Sequence, residues 1–447
     1  TTIRKLGSGM ADDRKHQSAR QAENPRAERT GYAERAQYAQ YESDKGPERG
    51  SWPADGGGYA GLLARRAAAV PANVFASMDE VVAQERAAGF DVIDLSKANP
   101  DLPTPAYIVE AGRAATGRLE NHRYTPFDGK PDFLQAAAGW YRREQGVDVD
   151  WTTELLATCG AIMGLSTVTQ VLLDPGDTVV VPEPYYPPYA ALAAVAGARM
   201  VTIPTDEEHG FIPDLDAVDP QVWDDAKLLL LNYPNNPTGA AATRQFYEQV
   251  VRLAHRHHFL VMNDFAYAGI GTEALPLSLL AVDGARDVSI EVVSLSKMYG
   301  MAGWRAGFAA APAELMAHIR DYHHQMCTNP AGAVQDAGAA GLNGDQSSVR
   351  ELSQRYAHRR GILSQALSAA GIRSFDSAYG LFVWARVPDT FAGDGDAFAR
   401  AILRRTHVAV MPGSCFGASG KDYIRLSLLE SEDHLIEAAA RIRGMAW

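Results

Sequence analysis

Apolar residues follow two alternating rhythms along most of this chain. Short β-rich runs recur at Leu155-Leu156-Ala157-Thr158, Thr178-Val179-Val180-Val181, Met200-Val201-Thr202-Ile203, Leu228-Leu229-Leu230-Leu231, Leu260-Val261-Met262 and Glu291-Val292-Val293-Ser294. Stretches with helical apolar spacing, such as 163–173 and 244–257, separate several of them. Fully apolar strands alternating with helices predict a mostly parallel sheet flanked by helices, an α/β fold. Upstream, Val74, Phe75, Met78, Val81 and Val82 predict a helix that Gly89 ends, and residues 91–95 alternate like a short strand. Beyond residue 330 the rhythm changes to long helices, roughly 331–343 and 346–370. Antiparallel-looking strands follow at 381–384 and 423–427. The expected organisation is a large domain over 106–330 and a smaller α+β domain built from both chain ends, 71–105 and 331–447. No internal repeat stands out.

Residues 1–70 break the pattern as a polar extension. Up to about residue 58 the chain is rich in charge and poor in Val, Ile and Leu, and it ends in Gly56-Gly57-Gly58. Such a segment buries little apolar surface, so disorder or a partner-dependent arm is expected. The residues before Met10, with Gly7-Ser8-Gly9, read as a non-native leader. The net charge is −12 without a long basic run, which argues against a general nucleic-acid or membrane-surface binder while leaving room for a local phosphate pocket. Cys159, Cys327 and Cys415 are too few and too irregular for a disulfide framework or a zinc site, so no metal is expected. With no secretory signal or long apolar span visible, the cytoplasm is the expected compartment.

Chemistry-bearing residues cluster where strands end, the edge at which open α/β sheets bind ligands. Asn232-Tyr233-Pro234-Asn235-Asn236-Pro237-Thr238-Gly239 follows one run, Asn263-Asp264-Phe265-Ala266-Tyr267 follows the next, and residues 294–308, SLSKMYGMAGWRAGF, follow a third. Alone, Asn-Pro-Thr-Gly reads as a turn and Asp264 as a helix cap. A lysine at a strand end, followed eight residues later by Arg305, is a poor choice for packing. The three motifs in this order point to one site.

That order and spacing resemble the class I/II aminotransferases, pyridoxal 5′-phosphate (PLP) enzymes of fold type I, over about residues 72–447. The text is most similar to the alanine-forming and LL-diaminopimelate branch. The resemblance implies that Lys297 links to PLP as a Schiff base and then moves the substrate's α-proton. It implies that Asp264 faces the pyridine nitrogen, that Tyr267 and Asn236 hydrogen-bond the ring oxygen, and that Tyr186 stacks on the ring. Arg305, Ser294, Ser296 and the helix opening at Gly160, Ala161 and Ile162 match the phosphate clamp. Tyr124 matches a tyrosine that reaches the neighbouring subunit's phosphate, which implies a homodimer with shared sites. Arg425 matches the arginine that forks the substrate's α-carboxylate, so the substrate is an α-amino acid.

Three departures bear on the chemistry beyond the first step. Ala98 stands where relatives carry Gly over the substrate, Ala161 and Ile162 replace polar residues, and the 125–130 loop brings in Asp128 and Lys130. The main expectation is amino transfer to a 2-oxo acid. The alternative is β/γ-elimination or γ-replacement on an S-adenosylmethionine-like substrate, because Pro184-Tyr185-Tyr186-Pro187 resembles the motif of aminocyclopropane-carboxylate synthases. A non-catalytic PLP-fold regulator is the remaining reading, and residues 1–58 carry no helix-turn-helix pattern to support it.

Overall fold

The computed structural model describes residues 62–445 apart from Glu273, so the expected N-terminal arm over 1–58 lies outside the described residues. Twelve strands are described: β1 (Ile93–Asp94), β2 (Leu155–Thr158), β3 (Thr178–Glu183), β4 (Arg199–Pro204), β5 (Ala226–Leu231), β6 (Leu260–Phe265), β7 (Ser289–Ser294), β8 (Gly307–Ala310), β9 (Phe382–Arg386), β10 (Val408–Ala409), β11 (Met411–Pro412) and β12 (Tyr423–Ser427). Seven form one sheet in the order β2-β8-β7-β6-β5-β3-β4. From β4 to β7 every pairing is parallel, while β8 runs antiparallel to both β7 and β2.

These strands are apolar because helices cover both faces. The core between β5 and helix Arg244–His257 includes Leu229, Leu231, Phe246, Tyr247 and Val250, and the other face buries Leu228, Leu230, Met262 and Val292. Local signals set the helix ends. Thr243 Oγ1 accepts from Phe246 N at 3.1 Å to start one helix. Asn73 caps Val74–Ala87, and Gly89, at φ +92°, turns the chain out of it as its position predicts. The two-residue strands β10 and β11 of the smaller sheets escaped the pattern, and within the large sheet only β8 did. Gly-Phe-Ala-Ala carries no β-branched residue, and its strand character comes from pairing on both edges.

Strands β11, β12 and β9 make a separate antiparallel sheet, with Tyr423 opposite Arg386 and Ser427 opposite Phe382. β1 pairs in parallel with β10, Ile93 opposite Val408, so a segment preceding the large sheet joins one that follows it. Helix Gly332–Asn343 packs on Ala106–Thr116 and Pro131–Trp140, so not every element after residue 331 gathers around the three-stranded sheet. Its small residues allow that closeness. A Cβ on Gly338 would lie 2.7 Å from the Phe133 ring. No helix among the described residues is long and apolar enough to cross a membrane.

Gly338→Val is therefore expected to destabilise the protein by about 1–3 kcal/mol through overpacking, read as a lowered Tm.

Candidate active site

β2, β3, β5, β6 and β7 end on one edge of the large sheet, and antiparallel β8 begins there. Lys297 rises from that edge on the short helix Leu295–Met298, whose start is capped by Ser294 Oγ accepting from Ser296 N at 3.1 Å. Its Nζ donates to the Ala98 carbonyl. Burial and the guanidinium groups of Arg425 and Arg305 push the amine's pKa down to about 8, against the opposing pull of Asp264. A lysine so placed has a far larger neutral fraction near physiological pH than an ordinary lysine, and the neutral form is the nucleophile.

Asp264 is buried at the end of β6. Burial raises its pKa to about 6, and two donors restrain the rise: Tyr189 Oη at 2.7 Å and Ala266 N at 3.2 Å. Asn232 Nδ2 donates to the Asp264 carbonyl at 2.8 Å, and Asn232 Oδ1 accepts from Asn236 N at 2.9 Å. The Asn-Pro-Thr-Gly loop is thus fastened to the strand bearing the carboxylate. Tyr267 is buried one turn beyond Asp264, with Asn236 hydrogen-bonded to it.

Arg425 lies on β12 with 0% of its surface exposed. It donates from Nη2 to the Ser96 carbonyl at 2.6 Å and from Nη1 to Asn236 Oδ1 at 3.0 Å. Its guanidinium carbon lies 4.1, 4.9 and 5.4 Å from the ring centroids of Phe382, Phe416 and Phe75. No carboxylate of the described residues forms an ion pair with it, its Nε has no hydrogen-bond partner, and burial lowers its pKa to about 10. A buried cation in that condition is a receptor for an anion.

A second anion site faces it. Gly160 (φ +80°) opens helix Ala161–Leu172, whose first turn has no capping side chain. Arg305 leans against that turn, where a Cβ on Gly160 would come within 2.5 Å of Nη2. The Arg305 backbone is itself left-handed, at φ +57°, a conformation that favours glycine. Tyr186 stands between the two sites, 6.0 Å from Phe75 and 5.5 Å from Tyr189 by ring centroid, and its hydroxyl senses Asp264, Arg425 and Arg305.

The structure thus gathers Lys297, Asp264, Tyr267, Asn236, Tyr186, Arg425 and the Ala98 carbonyl around one site. Gly160, Ala161 and Ile162 open the helix against which Arg305 lies, and Ser294 and Ser296 are buried on the stretch that carries Lys297. Tyr124 stands apart, 96% exposed. Asp128 and Lys130 are occupied elsewhere: Asp128 accepts from His324 Nε2 at 2.7 Å, and Lys130 pairs with Asp336. Sequence reasoning missed Tyr189, which lies in the first turn of helix Pro188–Ala196, just after the Pro-Tyr-Tyr-Pro segment. It also missed the aromatic box around Arg425, whose members come from three distant segments.

A mostly parallel sheet with a lysine, a buried carboxylate and an anion corner at its carboxyl edge defines a PLP enzyme of fold type I. Residues 91–442 match the family described as aminotransferase class I and II, and the chain belongs to that family. It is 41% identical over 374 residues to an L-glutamine–4-(methylsulfanyl)-2-oxobutanoate aminotransferase of Bacillus subtilis, covering 83% of this chain and 94% of that one. It is 38% identical to an LL-diaminopimelate aminotransferase of Nitratidesulfovibrio vulgaris, over 86% of this chain and 99% of the relative. Among solved structures, substrate-bound BacF from Bacillus subtilis superimposes with a TM-score of 0.82 at 34% identity, over 85% of this chain and 97% of the other. Aspartate aminotransferase from Thermus thermophilus with maleate gives 0.78 at 30%, over 85% and 98%.

The enzyme is a PLP-dependent aminotransferase, acting on an amino acid and a 2-oxo acid, and the elimination alternative is not favoured. The residues present fit the cofactor. The Gly160 turn leaves donors unclaimed, Arg305 flanks it, and a buried carboxylate and a depressed lysine lie alongside.

Capture of PLP by cofactor-free protein, followed by its visible absorbance, is expected to quicken as pH rises through about 8, where Lys297 loses its proton. Arg425→Gln should move that curve to higher pH, because a cation that disfavours the charged amine is gone.

Proposed function

We propose that Lys297, Asp264 and Arg425 carry amino transfer between an α-amino acid and a 2-oxo acid, with the cofactor held by the residues around them. The observation that carries this reading is Arg425: a buried guanidinium with no carboxylate of its own, close enough to Lys297 to depress its pKa. Bound PLP supplies an aldehyde that condenses with amines and a ring that withdraws electrons from the substrate's α-carbon. Lys297 would hold the cofactor covalently, and its neutral amine would be the group that takes the proton from the substrate's Cα and returns it. Arg425 grips the α-carboxylate with two parallel hydrogen bonds, giving up the Asn236 oxygen as needed while Nη2 keeps its second N–H on the Ser96 carbonyl. Asp264, oriented by Tyr189, would hold a proton on the pyridine nitrogen. Asn236 and Tyr267 would bond the ring oxygen, and Tyr186 would cover the ring. Gly160, Ala161 and Ile162 offer backbone N–H groups to the phosphate, with Arg305, Ser294 and Ser296 beside them. Ala98 borders the substrate.

The working form is a homodimer in the cytoplasm, with Tyr124 completing the partner's phosphate site. What supports this is an aromatic residue left 96% exposed and, on the same loop, Phe127 at 68%. The two lobes of each subunit are 71–105 with 331–447, and 106–330.

L-glutamine with 4-(methylsulfanyl)-2-oxobutanoate, the pair in the name of a relative 41% identical to this chain, is the first to test. Methionine should form. Lys297→Ala should abolish both turnover and the visible band, while methylthioadenosine release from S-adenosylmethionine without any amino transfer would overturn the reading. Arg425→Lys loses the fork and should lower kcat/KM by roughly 10- to 100-fold, mostly through KM. Mixing Lys297→Ala with Tyr124→Ala subunits should restore one competent site per mixed dimer, and no restoration would place Tyr124 in its own subunit's site.

A further inference from the structure

One stretch of chain, residues 94–101, touches both principal cations of the site through its backbone. The Ser96 carbonyl accepts from Arg425 Nη2 at 2.6 Å, and the Ala98 carbonyl accepts from Lys297 Nζ. Where this stretch lies therefore bears on how far Arg425 stands from Lys297.

Both ends of the stretch are anchored. At the near end, β1 pairs with β10, and Ser427 N, on the strand of Arg425, donates to the Leu95 carbonyl at 2.8 Å. At the far end Asp101 meets Arg359 of helix Ser347–Ala369. Arg359 Nη1 and Nη2 donate to the two carboxylate oxygens at 2.9 and 2.8 Å, and Nη1 also donates to the Leu428 carbonyl at 2.9 Å. Leu428 directly follows β12, so this guanidinium brackets the stretch to the Arg425 strand. Just beyond, Thr104 Oγ1 donates to the Gly300 carbonyl at 2.8 Å, tying the chain to the loop that follows Lys297. The Arg359 side chain is almost wholly buried, at 4% exposed, and a bidentate pair there fixes direction as well as distance.

We propose that Asp101 and Arg359 are positioning residues of the amino-transfer reaction. Their ion pair sets the 94–101 stretch and, through it, the separation between the group that holds the substrate's carboxylate and the amine that works at its α-carbon. This rests on the reading in which Arg425 binds the carboxylate and Lys297 moves the proton. The substrate's Cα is one bond from its carboxylate, so a shift of one cation relative to the other misaligns the reacting atoms directly. A misplacement of about 1 Å at a reacting centre can cost on the order of 100-fold in rate.

The test uses holoenzyme carrying Arg359→Lys, which keeps the charge and loses the fork, or Asp101→Glu, which keeps the pair and lengthens it. Two quantities are read beside the visible cofactor band: kcat/KM for an amino acid substrate, and the inhibition constant of the same carbon skeleton without its amino group. The deaminated carboxylate engages Arg425 alone, whereas the amino acid must meet Arg425 and Lys297 together. Expected is a roughly 10- to 100-fold fall in kcat/KM with the carboxylate's inhibition constant changed by less than about two-fold and the cofactor band intact. A parallel weakening of the carboxylate would mean that the pair merely supports the Arg425 pocket, and unchanged kcat/KM would mean that it sets nothing; either result overturns the proposal. Should Arg359→Lys not fold, Asp101→Glu decides alone. Wild-type turnover reports separately on the underlying reading, since the proposal concerns only the ratio of variant to wild type.

Discussion

The arrangement of this protein turns on a positive charge buried without a negative one. Taking a guanidinium out of water costs several kcal/mol unless partners replace the lost hydration. At Arg425 the replacements are a carbonyl, an amide oxygen and three aromatic faces. Each comes from a different part of the chain: Ser96 from the connection after β1, Asn236 from the loop after β5, Phe382 from β9. The cation therefore helps to join the two sheets. The site is completed by an anion the protein does not itself supply, and that shortfall makes it a receptor.

Around this charge the other titrating groups are poised against each other. Lys297 is pushed toward neutrality by burial and two cations, and Asp264 is pushed toward neutrality by burial alone. Tyr189 and the Ala266 amide moderate the second effect, so the carboxyl is raised only to about 6 and remains largely ionised at neutral pH. The same low-dielectric edge thus draws the two groups' pKa values together, to about 6 and about 8, so the amine gives up its proton far more readily than a lysine in water while the carboxylate stays ionised.

Much of this is legible in the sequence because its signals are local. Apolar runs at 228–231 or 292–293 declare buried strands, Gly89 declares a helix end, and strand-end Lys297 and Asp264 fall where the parallel sheet must present them. What stays hidden depends on pairing over long distances. β8 has a weak local pattern and is a strand because β7 and β2 flank it. Helix Gly332–Asn343 looks like its neighbours in sequence, yet its glycines direct it onto Phe133 and Ile108. Asp128 and Lys130 stand out in the sequence as departures in the 125–130 loop, but what occupies them, His324 and Asp336 some two hundred positions away, does not. Tyr189 carries no local sign of its acceptor Asp264, 75 positions away.

The reversal of β8 has a consequence for how the site tolerates change. Ser294 pairs with Gly307, so the chain carrying Lys297 and Arg305 leaves the sheet and returns to it at adjacent points, a closed loop with fixed feet. Insertions are usually tolerated in connections because both ends can drift. Here neither foot can slip without turning every side chain of β8 to the wrong face. The loop therefore acts as a ruler between amine and phosphate corner, and variation among such proteins should accumulate in substitutions within it rather than in its length.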